Sequence, residues 1–149
     1  MFGRVCATDV SSRMLELCSK TVRNPAVSFQ RTDGFTLREF GDATIDVVYS
    51  HDTFVHFSAM QVYPYLREIR RILRQGGIGV ISFVDFVASF QEFSRMSMRY
   101  WSQRTYPPMT RLHFTSEEAI CRMLTDLDLR FLKARKGNFL IVVFEKKNA

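Results

Sequence analysis

The chain has 149 residues, of which 46% are hydrophobic and 24% charged, and its formal net charge at pH 7 is +6. This composition is that of one ordinary globular domain, and no apolar run reaches the roughly 18 residues that a membrane-spanning helix needs. The positive charge suits an anionic small substrate. Nucleic acid is a less expected partner, because many of the arginines fall on polar helix faces where water solvates them.

The cysteines bear on location and on metal binding. They are odd in number, widely spaced and include no close pair: Cys6, Cys18 and Cys121. This usage predicts reduced core thiols in a cytoplasmic protein, and the chain start lacks the layout of a secretion signal. No metal site is predicted, because the three histidines do not accompany the cysteines at zinc-ligand spacing.

The first half of the chain alternates strand patterns with a helix pattern. Strands are predicted over three apolar stretches: Val5–Thr8, Val27–Gln30 and Ile45–Tyr49. Ser11 or Ser12 can cap a helix between the first two of them, and Asn24-Pro25 ends it. The segment 35–40 stays ambiguous.

The stretch Leu66–Phe83 (LREIRRILRQGGIGVISF) carries the clearest pattern. Apolar residues recur there at helical spacing: Val62, Leu66, Ile69 and Leu73. Gly76 or Gly77 is expected to close this helix in the left-handed conformation. Ile78–Val84 then forms a strand buried on both faces. A helix that leads directly into such a strand is half of a βαβ unit and predicts a parallel α/β sheet.

The second half of the chain begins with a segment rich in aromatic residues and arginine, 86–111, which we expect to pack as a cap over the sheet. Thr115 opens a capping-box pattern and a helix follows it. Two strands close the chain around a Gly137-Asn138 turn that suits an antiparallel hairpin: Arg130–Arg135 and Phe139–Glu145.

Polar residues follow the predicted strands, where ligands of open α/β sheets bind. They are Asp9, Asp33, Ser50, His51, Asp52 and Asp85. This clustering predicts a ligand site at the carboxyl edge of the sheet.

With these motifs the chain resembles the class I S-adenosylmethionine-dependent methyltransferases, over nearly its whole length. VCATDV is similar to the family's second strand, whose acidic residue holds the cofactor ribose, which implies cofactor-binding roles for Asp9 and Val10. TDGF resembles the adenine-contacting segment and implies Asp33 and Gly34. The fourth-strand motif IDVVYSHD implies Ser50 beside the cofactor. The terminal hairpin is similar to the family's antiparallel seventh strand.

One departure concerns the family's first strand and its glycine-rich loop, which have no counterpart before VCATD. The resemblance therefore implies a Rossmann-like, mostly parallel sheet with a C-terminal antiparallel hairpin, lacking the first strand and that loop. We expect residues 1–149 to be a partial, N-terminally truncated methyltransferase domain. Two alternatives stay open: direct pairing of the second and fourth family strands, and a missing strand supplied by a partner chain.

The acceptor side is predicted from the same resemblance. The family shapes its substrate site with the region after the fifth strand, which implies substrate contacts from His51, Asp52, Arg95, Arg99, Tyr100 and Trp101. His51, and less so His56, is a candidate general base. Each residue also has a structural alternative: Asp9 as a helix cap, Asp33-Gly34 as a plain turn, and His51 as a structural hydrogen-bonder.

The predicted function is methyl transfer from S-adenosylmethionine to an unidentified small-molecule or protein acceptor. One alternative is a truncated, non-catalytic methyltransferase-like protein that acts as an interaction module. A second is a dehydrogenase-type nucleotide binder, because an acidic residue at Asp9 would also serve NAD. The terminal antiparallel hairpin argues against that second alternative.

Overall fold

The computed structural model describes residues 3–105, 112–137 and 139–148. The chain divides into two compact units, Met1–Gly41 and Asp42–Ala149. None of the described helices is long and apolar enough to cross a membrane. Residues 106–111, the last part of the predicted segment 86–111, lie outside the described residues. The same holds for Asn138 of the predicted turn.

The first unit is a strand, helix and strand. Its elements are β1 (Val5–Asp9), α1 (Ser12–Thr21) and β2 (Val27–Arg31). The two strands are parallel, with Val5 opposite Val27 and Asp9 opposite Arg31. Ser11 is the N-cap of α1, and its side-chain oxygen accepts a hydrogen bond from the Met14 amide at 3.3 Å. The predicted strands and helix start are confirmed.

The second unit contains a mixed sheet with helices. Its elements are β3 (Ile45–Ser50), a 3₁₀ helix (Phe54–His56), α2 (Ala59–Ile72), β4 (Leu73–Asp85), α3 (Phe90–Gln103), β5 (Phe114–Thr115), α4 (Glu117–Asp126), β6 (Leu129–Arg135) and β7 (Leu140–Lys146). The strand order is β3-β4-β7-β6, and β5 pairs with the end of β4. Both β3 and β5 are parallel to β4, whereas β7 is antiparallel to β4 and to β6.

The predicted α/β class and the antiparallel C-terminal strands are therefore confirmed, in a sheet that is more evenly mixed than expected. The described strands form two sheets: β1 pairs with β2 in one, and β3 pairs with β4 in the other.

The core of the second unit lies around β4. Side chains from three elements are almost fully buried there: Leu66 and Ile69 of α2, Ile81 and Phe83 of β4, and Leu140, Val142 and Phe144 of β7. The predicted apolar stripe of α2 is confirmed for Val62, Leu66 and Ile69, whereas its last buried member is Ile72 and not Leu73. Burial of this kind stabilises the fold by roughly 1.5–3 kcal/mol for each large side chain.

The junction between α2 and β4 differs from the prediction. The helix ends at Ile72, and Leu73 is already extended (φ −64°, ψ 134°) and begins β4. Gly76 is left-handed (φ +71°), but it lies inside β4 rather than at the helix end. The pairs Ile45–Leu73 and Val47–Ile78 leave extra β4 residues as a bulge between them. The left-handed glycine therefore serves the bulge, as is common for such irregularities.

Two smaller expectations are wrong. The N-cap of α4 is Ser116 and not Thr115, and the Ser116 side-chain oxygen accepts from the Ala119 amide at 3.3 Å. The three cysteines are free, but the prediction that their thiols lie in the core is wrong. Cys6 and Cys18 are exposed and Cys121 is half-buried.

Candidate functional site

Aspartates that follow strands each accept hydrogen bonds from the loop that they begin. Asp9 Oδ1 accepts from the Ser11 amide at 2.7 Å, so Asp9 shapes the turn before α1, whose N-cap is Ser11. Asp85 Oδ1 accepts from the Val87 amide at 2.9 Å, and its side chain is buried. Neither second carboxylate oxygen has a hydrogen-bond partner among the described residues. Asp9 therefore keeps one oxygen available at the end of β1.

The Asp33 carboxylate is more fully engaged. Its Oδ1 accepts from the Phe35 and Thr36 amides at 2.8 and 2.7 Å, and its Oδ2 accepts from the Thr36 hydroxyl at 2.8 Å. The Thr36 and Phe35 amides and the Thr36 hydroxyl stabilise the ionised form and lower the pKa of Asp33 to about 2. The loop after β2 is therefore held in one shape by a charged carboxylate at neutral pH.

The loops that follow β1 and β2 touch each other. Gly34 has φ +78°, and a Cβ added to it would lie 2.8 Å from Cγ1 of Val10. The Thr32 amide donates to the Asp9 carbonyl at 3.1 Å and extends the strand pairing to this point. The structure thus brings together the four residues of the first unit that are predicted to bind cofactor: Asp9, Val10, Asp33 and Gly34.

At the carboxyl end of β3, Ser50 pairs with Ile81 of β4. Asp52 is left-handed (φ +60°), and its amide donates to Oγ of the buried Ser82 at 2.9 Å. This bond compensates the strain of a non-glycine residue in that conformation, which costs roughly 1–3 kcal/mol. Strain of this kind is typical of functional loops.

His51 is exposed on the same loop. Its ring meets the Phe139 ring edge-on, with 5.1 Å between centroids. No described carboxylate hydrogen bonds to it, so the structure supplies no group that would orient the ring as a base. The catalytic role of His51 stays a prediction.

A cleft of about 350 Å³ lies along α3. We call it the α3 cleft. Its lining consists of His56, Glu92, Arg95, Met96, Arg99, Tyr100 and Leu112. The structure thus brings together three of the residues predicted to contact substrate, Arg95, Arg99 and Tyr100. It leaves Trp101 outside the cleft, with 80% of its surface exposed.

Aromatic contacts fix the face that α3 turns to the cleft. The Phe93 ring packs edge-on against Phe86 and Phe114, with centroid distances of 5.0 and 5.4 Å. On the other wall, the His113 amide donates to the Val55 carbonyl at 2.7 Å, so the neighbours of these two residues, Leu112 and His56, are held side by side. The cleft is therefore built on rigid contacts.

Three lining residues were missed by sequence reasoning: Glu92, Met96 and Leu112. The signal for the first two was present, since residues 92, 95, 96 and 99 recur at the spacing of three and four that places side chains on one helix face. No local signal connects Leu112 or His56 with α3, because both are distant from it in sequence. Within the described part of the chain, no cluster of three or more side chains could hold a metal ion.

Comparisons with known proteins agree with the fold. Residues 1–81 match the family model described as a methyltransferase domain. No curated protein sequence matches the chain.

Solved structures give the same picture. A SAM-dependent methyltransferase from Methanosarcina mazei superposes with a TM-score of 0.77 at 15% identity, over 97% of this chain and 83% of that one. A chain from a Haloferax volcanii complex that contains a methyltransferase activator gives 0.73 at 16% identity, over 98% and 73%. Magnesium protoporphyrin IX methyltransferase from Synechocystis, solved with bound SAH, gives 0.72 at 14% identity, over 97% and 64%.

At these identities the structures show the fold alone, whereas the family model covers more than half of the chain. The α/β architecture with a mixed sheet matches these solved structures. The chain therefore belongs to the methyltransferase-domain family, as a class I S-adenosylmethionine-dependent methyltransferase in its fold and sequence motifs.

Proposed function

We propose that the protein transfers a methyl group from S-adenosylmethionine to an acceptor. The observation that carries this proposal is the contact between the loops after β1 and β2, where a Cβ added to Gly34 would lie 2.8 Å from Cγ1 of Val10. This contact puts Asp9 and Asp33 on neighbouring loops of one unit. The donor set fits the cofactor, because a carboxylate oxygen and a shaped backbone turn are what a ribose diol and a planar base require.

Each residue of the first unit has a distinct part in this proposal. Asp9 Oδ1 accepts a hydrogen bond from the loop that follows β1, and in this proposal its Oδ2 accepts hydrogen bonds from the ribose hydroxyls. Asp33 acts through the loop that it fixes, since both of its oxygens already hold Phe35 and Thr36. Val10 and Gly34 offer apolar and backbone surface to the adenine.

When bound, the cofactor would supply a methyl group activated by its positively charged sulfonium sulfur, with the neutral thioether of S-adenosylhomocysteine as the leaving group. The chain's own task is then to orient an acceptor in line with that group and to exclude water from it. We assign Ser50, His51 and Asp52 to acceptor contacts as part of this proposal. His51 takes a proton only where the acceptor must lose one, which holds for a hydroxyl and not for a neutral amine.

The acceptor is a small molecule or a protein, bound by the segment 86–111 as a cap through Arg95, Arg99, Tyr100 and Trp101. A partner chain is also part of this proposal, as a source of a further strand for the cofactor site. A precedent for partners is the Haloferax volcanii complex with a methyltransferase activator. We place the reaction in the cytoplasm, where unpaired thiols stay reduced.

Titration calorimetry with S-adenosylhomocysteine tests the role of Asp9. The Asp9→Asn variant loses charge-assisted hydrogen bonds and should bind at least about tenfold more weakly, since such bonds contribute roughly 1.5–3 kcal/mol each. Asp128→Asn is the matched control, because it removes the same charge from a carboxylate that has no proposed role in cofactor binding. The Asp128 side chain is 70% exposed and forms an ion pair with Arg70. Equal affinity in the two variants would remove Asp9 from the site.

A further inference from the structure

We propose that the α3 cleft binds the anionic group, a carboxylate or a phosphate, of an acceptor whose remaining part is apolar. The assignment of this ligand as the methyl acceptor rests on the proposed function. The binding of the anion itself rests only on the residues of the cleft.

The face of α3 that lines the cleft carries two arginines and two apolar or aromatic side chains at the same helical spacing. Arg95 and Arg99 are four residues apart, and so are Met96 and Tyr100, so both pairs point from the same side of the helix. All four line the cleft. A ligand lying along α3 therefore meets two guanidinium groups beside an apolar and aromatic strip.

The two arginines differ in their pairing. Arg95 forms an ion pair with Glu92 one turn earlier on the same helix. Arg99 has no ion pair to any residue that the structure describes, although its side chain lines the same cleft. An arginine without an acidic partner offers a planar fork of donors that matches a carboxylate or phosphate in two parallel hydrogen bonds. Arg99 is therefore the primary anion ligand.

The opposite wall limits what the anion is attached to. His56 contributes imidazole nitrogens there, which can donate or accept a hydrogen bond, and Leu112 contributes an apolar surface. The hydrogen bond from the His113 amide to the Val55 carbonyl holds that wall in place. The volume of about 350 Å³ falls at the small end of the range for ligand sites, roughly 300–1,000 Å³. A ring or short chain that bears one anionic group fits this combination.

Glu92 sets the strength of the site. It is the acidic member of the lining, and its ion pair holds Arg95 away from a bound anion while its charge repels that anion. Removing the charge of Glu92 should therefore strengthen anion binding, whereas removing the charge of Arg99 should weaken it. Glu92 and Arg99 lie on the same face of α3, and a purely structural role would not give opposite effects when their two charges are removed.

Chemical-shift titration of the full chain tests this directly, with the Met96 methyl signal as reporter and the Met123 methyl of α4 as an internal control. Benzoate and phenyl phosphate are the probes, and neutral benzamide is the isostere of the first. We expect saturable shifts of Met96 with one or both anions and at least tenfold weaker binding of benzamide. Whichever anion binds more tightly identifies the source of the charge, carboxylate or phosphate.

The variants give the sharper result. Arg99→Gln should weaken anion binding about tenfold or more, Arg99→Lys should weaken it less, and Glu92→Gln should strengthen it a few fold. Arg122→Gln is the matched control, because Arg122 is an exposed arginine of α4 outside the cleft. Circular dichroism of each variant checks that the fold is kept.

Equal binding of benzamide and benzoate, or unchanged affinity in Arg99→Gln, would overturn the proposal. S-adenosylhomocysteine binding is measured on the same samples. Cofactor binding without anion binding would refute the anion site alone. Anion binding without cofactor binding would refute the proposed methyl transfer and leave the cleft an anion site.

Discussion

Gly79 at the centre of the sheet gives the sharpest stability prediction. It lies in β4 directly opposite Phe144 of β7. A Cβ added to Gly79 would lie 2.1 Å from Cζ and 2.4 Å from Cε2 of the Phe144 ring. Only 1% of the Phe144 surface is exposed, so the ring cannot shift aside without disturbing the core around it. The aromatic ring therefore covers the glycine, and the glycine is what makes room for the ring.

The magnitude follows from this overlap. Overpacking of a well-packed core costs roughly 1–3 kcal/mol, occasionally more, and replacing glycine returns about 0.4–1 kcal/mol through the unfolded chain. Because the overlap involves ring atoms of a fully buried side chain, we expect Gly79→Ala to lower the free energy of unfolding by about 2 kcal/mol. For a chain of this size that corresponds to a fall in Tm of roughly 4–8 °C.

Urea unfolding followed by circular dichroism measures the effect. Gly137→Ala is the matched control, because a Cβ there meets nothing within 4 Å, and it should change stability by less than about 0.5 kcal/mol. Phe144→Leu in the Gly79→Ala background should restore room for the methyl group, with a favourable coupling of about 0.5–3 kcal/mol. If Gly79→Ala is as mild as the control, or if the two substitutions are additive, the β4–β7 register is refuted.

Three further predictions concern the candidate site. Ser82→Ala leaves the Asp52 amide without its acceptor and should lower the free energy of unfolding by about 1–3 kcal/mol; an unchanged urea midpoint would contradict this. Gly34→Ala forces a Cβ against Val10 at φ +78° and should destabilise the first unit by about 1–2 kcal/mol, seen as faster amide hydrogen exchange there, whereas equal exchange would argue against the loop contact. Asp33 is ionised more readily in the folded chain, so its contribution to stability is complete above pH 3.8 and is lost as the pH falls through about 2; an NMR titration midpoint near 3.8 would refute the hydrogen bonds to Phe35 and Thr36.

The fold could be predicted from sequence wherever the signal was local. The stripe of Val62, Leu66 and Ile69 and the apolar run of β4 are properties of one helix and one strand, and the structure has both. The role of Gly76 could not be predicted in the same way. It depends on the register between β3 and β4, which no single segment encodes.

The prediction of where α4 begins was wrong for a related reason. Thr115 and Ser116 are both good capping residues, and the capping-box spacing from Thr115 to Glu118 favoured Thr115. The structure pairs Thr115 with Asp85 as part of β5, so Thr115 belongs to a strand and Ser116 becomes the cap. Tertiary pairing thus overrode the local signal.

The predictions of the candidate sites show the same difference between local sequence signals and tertiary contacts. The motifs that carry the family resemblance pointed to Asp9 and Gly34, and the structure brings their loops into contact. Arg99 was predicted from the family's use of the region after the fifth strand, and the α3 cleft that it lines requires His56 and Leu112 from distant parts of the chain.

The central claim is that this chain binds S-adenosylmethionine, and calorimetric titration with S-adenosylhomocysteine and with NAD tests it most directly. An acidic residue at the end of β1 would serve either ligand, so the comparison separates a methyltransferase from a dehydrogenase-type nucleotide binder. The account predicts one S-adenosylhomocysteine per chain with a Kd in the micromolar range and no heat from NAD. Binding of NAD, or binding of neither ligand, would contradict it.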